Sequence, residues 1–555
     1  MKLGVAAAIS ALALMAVDVA LAQDTGPISA QRMSDVIKTI GSDGFQGRSP
    51  GTPGENTTVA YLVDQFRAMG LEPGGDDGGW TQAVPMVRYE LKPNPRISVA
   101  TSEGDDALVQ TQDVMVMTQR PVDRVRIDKA PLVFAGYGVK AAERGWDDFK
   151  GADLRGKILV VLVNDPDFEA TPGEDAYGRF GGKAMTYYGR WTYKFEEAAR
   201  QGAAGVLIVH DTPGAGYGWS TVQASNAEAY DVARPDPAKA HALMEGWIQH
   251  DVAERLLRRA GLDLGRLKIM ARRRDFHPIP IGQETLSADY GVDVRRLTSR
   301  NVIARLTGTT RPKEAVMFGA HWDAFGVGAP DATGDRIRHG AVDDGSGVAG
   351  VLELARAFAH GPRPERTTVF ALWTGEERGL LGSEWWAAHP SVEPSQIVAD
   401  FTMDVLEPVG PSHDVVLVGS GQNQLEDLLA RAAARQGRTI TPDTHPERGL
   451  FYRADHFSLA KRGVPTLILM SLGGAPDLVK GGRAAGAAWI DDYTAHCYHQ
   501  PCDVWHADWD LTGAAQDVDL LYQVGLGLAS GGAWPQWKPG SEFAALRHPA
   551  AERRK

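Results

Sequence analysis

The order of apolar runs predicts an α/β fold: a mostly parallel mixed sheet sandwiched by helices, with a small α/β or β-rich unit inserted into it. Three observations carry this. From Asn301 to about Ser530, short apolar runs (NVIARL, VMFGAH, TTVFALWT, IVADFTMD, HDVVLVG, VPTLILM) alternate with helical patterns over 347–359, 383–388, 424–436 and 517–528. Runs such as GKILVVLV and AAGVLIV lack polar alternation, as strands buried on both faces require. Between 316 and 404, five imidazole or carboxylate groups lie where an apolar run stops: His321 and Asp323 after VMFGA, Glu376 and Glu377 after TTVFALWTG, Asp404 after FTM. Ligands of open α/β sheets bind at the carboxyl ends of strands, so separate strands deliver these groups to one edge.

A chain of 555 residues exceeds one core and suggests two or three domains. Residues 1–22 read as a secretory signal peptide, with Lys2, an apolar stretch over 3–17 and the small-residue site Ala20-Leu21-Ala22. No Cys follows that site and no later run is long enough to span a bilayer, so the expectation is an exported protein, periplasmic or secreted, without a membrane span after cleavage. Residues 23–128 are expected as the N-terminal part of the main domain. They begin with helical patterns on either side of the loop FQGRSPGTPGE, the second carrying Val59, Leu62, Val63, Phe66 and Met69 and stopped by Gly70. Irregular strands and loops are expected from 73 to 128. The inserted unit is expected over 129–280, with a helix ending near Gly202 and two helical stretches in AHALMEGWIQ and DVAERLLRRAG. The main domain resumes over 281–535, and 536–555 reads as a loose tail.

The net charge of −12, with no basic stripe, argues against nucleic acid as a partner. Nothing in the sequence sets the oligomeric state. The two cysteines, Cys497 and Cys502, flank His499, and an oxidising compartment makes a short disulfide loop one reading; free buried thiols and zinc ligation are the others.

Taken together, HWD at 321–323, DDGSG at 343–347, EERGLLGSE at 376–384, MD at 403–404 and YHQPCD at 498–503 resemble the M28 family of zinc metallopeptidases. FYRADHFSLAKRGVPTLIL resembles that family's RSDHxxFxxxGxP segment, with Ala454 in place of Ser and Leu459 in place of Phe. The inserted unit resembles a protease-associated domain. The resemblance implies two zinc ions per chain bridged by Asp343, with His321 and Asp404 completing one site and Glu377 with His499 the other. His456 is the second candidate for the last ligand. The donor chemistry agrees, since Zn²⁺ takes imidazole nitrogen and carboxylate oxygen, and one carboxylate has two oxygens for two cations.

On the same basis Glu376 is the general base and Asp323 accepts the second N–H of His321. Asp344 either supports the site by hydrogen bonding or caps the helix that follows. Tyr452 is a candidate for holding an oxyanion, and a core aromatic is the alternative. The implied function is an exported exopeptidase acting on peptides, most simply an aminopeptidase. A carboxypeptidase or dipeptidase on the same site, a glutaminyl cyclase-like activity and a non-catalytic receptor or binding protein of the same superfamily are the rival readings.

Overall fold

Ser29 caps helix α1 (Ala30–Ile40) by accepting the Arg32 N–H, and Met33, Ile37 and Ile40 turn inward at amphipathic spacing. The FQGRSP loop leads into α2 (Pro53–Ala68), where Pro53 opens the helix and Leu62 and Phe66 are buried. The computed structural model describes residues 27–223 and 228–547, and the expected signal peptide over 1–22 lies outside them.

The strands that follow are β1 (Thr81–Leu91), β2 (Arg96–Thr101), β3 (Val114–Met117), β4 (Arg124–Phe134) and β5 (Ile158–Leu162). Helix α3 (Trp191–Arg200) comes next, then β6 (Gly205–His210), β7 (Met244–Gln249), α4 (His250–Arg259) and the 28-residue β8 (Ile279–Leu306). The remainder is β9 (Arg311–His321), α5 (Gly345–His360), β10 (Arg366–Trp373), α6 (Leu381–Ala388), β11 (Ile397–Met403), α7 (Leu425–Arg435), β12 (Thr466–Leu469), α8 (Gly482–Asp492) and α9 (Thr512–Ser530).

The main path through the sheet runs β12-β11-β9-β10-β8-β4-β5-β6-β7-β3. Strand β8 belongs to both halves: its end pairs antiparallel with β10, and its beginning pairs antiparallel with β4 and β2. On one side β10, β9, β11 and β12 are parallel, and on the other so are β4, β5, β6 and β7. Each half has its own core. In the first, Phe318 of β9 lies in register with Phe370 and Phe401 on its flanking strands, stacked at centroid distances of 5.7 and 5.5 Å beneath Phe358 of α5. This row holds the three strands that carry the site at fixed heights.

Three expectations are corrected. The stretch AHALMEGWIQ yields not a helix but β7, parallel to β6. Glu245, its one charged residue, is fully buried and accepts the Ala242 N–H, so a strand buried on both faces wins over helical spacing. The second lobe is wider than 129–280: β2 and β3 pair within it, and Ile97, Val99, Val114 and Val116 sit in its core. The segment after 535 is not loose as far as Arg547, because Trp537 and Phe543 are buried among Phe451 and Phe457 and the Arg547 guanidinium donates to the carbonyls of Ile397 and Val398. Among the described residues, no helix is long and apolar enough to cross a membrane.

Candidate metal centre

His321 ends β9 and Asp404 follows the last residue of the neighbouring parallel strand β11, so both emerge at one carboxyl edge. Asp343 and Asp344, joined by a cis peptide bond, immediately precede α5. Glu376 and Glu377 lie just beyond Trp373, the end of β10. His499 comes from the turn after α8 with φ +64°, inside a loop closed by a Cys497–Cys502 disulfide. The pair left open by sequence is therefore a disulfide here.

Asp343 is common to two triads, His321/Asp343/Asp404 and Asp343/Glu377/His499. Its Oδ1 lies 3.1 Å from His321 Nε2 and its Oδ2 3.1 Å from His499 Nε2. Asp404 Oδ1 is 3.7 Å from His321 Nε2, and Glu377 Oε2 is 3.3 Å from His499 Nε2. Glu376 belongs to neither triad, although its Oε2 is 3.8 Å from His321 Nε2. Both Nε2 atoms are buried without a hydrogen bond of good geometry. Imidazole nitrogens surrounded by carboxylate oxygens yet bonded to none fit ligands converging on cations.

The electrostatics agree. Burial, opposed by His321 and reinforced by Asp404, Asp455 and Asp343, pushes the Glu376 carboxyl well above the usual carboxylate range. Burial, with Asp343 and Glu376 adding to it, does the same to Glu377. A cation held among these carboxylates would supply the charge that such crowding demands.

The surrounding residues position these groups. Asp344 fulfils both of its expected roles: Oδ1 accepts the Gly347 N–H at 2.8 Å, capping α5, while Oδ2 accepts the His321 backbone N–H at 3.2 Å. Asp323 acts differently from expectation. Its backbone carbonyl, 3.0 Å from His321 Nδ1, takes the imidazole N–H and leaves Nε2 free for the triad; its carboxylate, 3.8 Å away, instead accepts the Glu376 N–H at 3.1 Å.

Tyr452 lines the cavity over the site, but its hydroxyl is hydrogen-bonded to Glu542, which removes it from an oxyanion role. Tyr498 is a second phenol at the site. It stacks on His499 at 3.7 Å, lines the same cavity and is held protonated by burial and by the nearby Asp343 and Glu377, which outweigh Arg453. His456 is fully buried against Phe451 with its pKa pushed down to about 3 by burial, and is in neither triad.

Two supporting residues escaped sequence reasoning. Asp503 accepts the backbone N–H groups of Val342 at 2.8 Å and Asp343 at 3.1 Å, and the Tyr493 hydroxyl at 3.1 Å. Arg48, fully buried, donates to the carbonyls of Trp322 (2.7 Å), His339 (2.6 Å), Gly340 (2.8 Å) and Ile40 (3.0 Å), tying together the segments that carry the ligands. The P-x-D after His499 was a signal for the first; FQGR alone offered none for the second.

Residues 301–523 match the model of peptidase family M28. The chain carries an M28 peptidase domain. Its span runs from the end of β8 into α9 and contains every residue of both triads. The chain is also similar to a probable zinc metalloprotease of Pyrenophora teres f. teres (47% identical over 83 residues, 15% of this chain and 17% of that protein) and to leupeptin-inactivating enzyme 1 of Streptomyces exfoliatus (28% over 212 residues, 37% and 43%). The chain thus aligns with less than half the length of these curated relatives. The fold as a whole is similar to that of an aminopeptidase from Aneurinibacillus sp. strain AM-1, at TM-score 0.52 and 20% identity over 92% of this chain and 97% of that one.

Proposed function

We propose that the protein is an exported zinc-dependent exopeptidase, an aminopeptidase that holds two zinc ions between the triads and removes N-terminal residues from peptides. The observation that carries this reading is the sharing of Asp343, with one oxygen towards His321 and the other towards His499. Two zinc ions held there supply Lewis acidity towards the scissile carbonyl and acidify the attacking water.

The chain's own residues do the rest. Glu376, the acid outside both triads, accepts the proton of the attacking water on a carboxylate oxygen and returns it to the leaving amine. Asp323 holds the peptide of Glu376 in place. Tyr498 donates a hydrogen bond from its hydroxyl to the oxyanion forming on the carbonyl and keeps its proton. The lobe from β2 into β8 is the inserted domain, and α3 brings it to the cavity wall. Export is supported by the leader-like residues 1–22 and by the disulfide.

The test is metal analysis of the purified chain with an assay of free and N-blocked aminoacyl substrates. We expect two zinc equivalents, hydrolysis of free substrates only, and loss of both with a chelator. Turnover of blocked peptides would favour the carboxypeptidase reading, and full turnover by metal-free protein would overturn the mechanism.

A further inference from the structure

Arg190 is the N-cap residue of α3 and is 94% buried, with 6% of its surface exposed. Among the described residues its guanidinium makes no hydrogen bond or ion pair, and its Nε has no partner. Its neighbours are another cation, Arg453, and the phenols of Tyr217, Tyr452 and Tyr187. Arg453 also lacks an ionic partner among the described residues. Both arginines line the cavity of about 270 Å³ whose floor is Asp343, Glu377, Asp404 and His499.

The same wall carries Trp191 and Thr192, the first turn of α3. No side chain caps that helix, so its leading N–H groups and the positive end of its dipole add to the two guanidiniums. The acids on the outer wall are committed elsewhere: Glu384 pairs with Arg234 at 2.6 Å, and Glu196 is bound by Tyr187 and Arg200. A buried guanidinium beside another cation is costly unless an anion arrives.

We propose that Arg190, Arg453 and the start of α3 form a carboxylate-binding subsite, so that the preferred substrates are short peptides carrying an anionic group beside the scissile bond. This rests on the peptidase reading and narrows it. The carboxylate comes either from the C-terminus of a di- or tripeptide or from an acidic side chain, and both present the planar pair of oxygens that a guanidinium fork matches.

Zinc-loaded full-length protein is assayed with Ala-Ala-Ala against its C-terminal amide, and with glutamyl against glutaminyl anilide. One pair should favour the acid in kcat/KM by about tenfold or more, the usual scale of a charge-assisted bond. The first pair reports a terminal carboxylate, the second a side chain. Arg190→Met and Arg453→Gln should bring the ratio towards one, with Arg190→Lys intermediate. Ratios near one in both pairs overturn the subsite, as does a preference that survives both arginine variants. The wild-type comparison decides even where a variant does not fold. If no peptide is hydrolysed, the peptidase reading fails separately, and calorimetric titration with the tripeptide acid and amide judges the subsite: tighter acid binding supports it, equal binding overturns it.

Discussion

Glu376 and Asp503 separate two kinds of contribution that single side chains make here. Glu376 lies 3.8 Å from His321 Nε2 without completing either triad, so on the proposed mechanism Glu376→Gln should lower kcat by about 10²- to 10⁴-fold with zinc content and circular dichroism unchanged. Asp503 lies outside the residues that line the cavity. It holds the backbone of Val342 and Asp343, so Asp503→Ala should weaken zinc binding by about 10- to 100-fold, measured by competition with a chelating dye. An unchanged zinc affinity would remove Asp503 from the positioning role. The triad residues were legible because each ends an apolar run or sits in a short motif. Arg48 was not, since partners nearly three hundred residues away leave no local pattern; Asp455, inside the quoted RADH segment, is fully buried near Glu376 and raised by burial to about 8. That the Tyr452 hydroxyl is engaged by Glu542 is something no spacing shows.

At the scale of elements, the start of α5 joins capping to ligand placement. A Cβ on Gly347 would come within 2.4 Å of both Asp344 carboxylate oxygens, so Gly347→Ala must displace the cap that also fixes the His321 backbone. We expect a lower midpoint of thermal unfolding and weaker zinc binding together, checked by calorimetry with and without metal. The Arg48 loop is a second such element. Arg48→Met leaves buried carbonyls at Trp322, His339, Gly340 and Ile40 without a donor and should cost about 3 kcal/mol or more of stability, read from denaturant midpoints. Long apolar runs made most strands readable. The strand at Met244–Gln249 was not, because its apolar residues also fit a helical spacing and only the parallel partner at Gly205–His210 decides between them.

Across the molecule, the two lobes share β8 and meet again near the cavity. There Arg378 lies 5.0 Å from the rings of both Tyr230 and Phe325, and Arg234 joins Asp231 to Glu384. His241 closes this network at 3.1 Å from Asp231 and 3.3 Å from Glu245. Burial disfavours its charge, but Glu245 and Asp231 outweigh it and lift its pKa from 6.5 to about 10. The folded state therefore binds this proton more tightly than the unfolded state. Its stabilisation is complete below pH 6.5 and is lost as pH rises towards 10. The difference in unfolding midpoint between wild type and His241→Gln should shrink across that window; a constant difference would show that the imidazole only fills space. Length suggested two or three domains, and the early entry of β2 and β3 into the second lobe was hidden in short, broken strands.

The disulfide around His499 gives the site a chemical latch. One imidazole of the second triad rides on a loop closed by a covalent bond that thiol-rich surroundings break, while the first triad stands on two strand ends and the start of α5, clear of any disulfide. Titrating dithiothreitol into the zinc-loaded protein should release one metal equivalent well before the other, and activity should follow the first loss. A chain still among the cell's reducing agents would carry a half-built centre, and hydrolysis would begin only once the bond had closed.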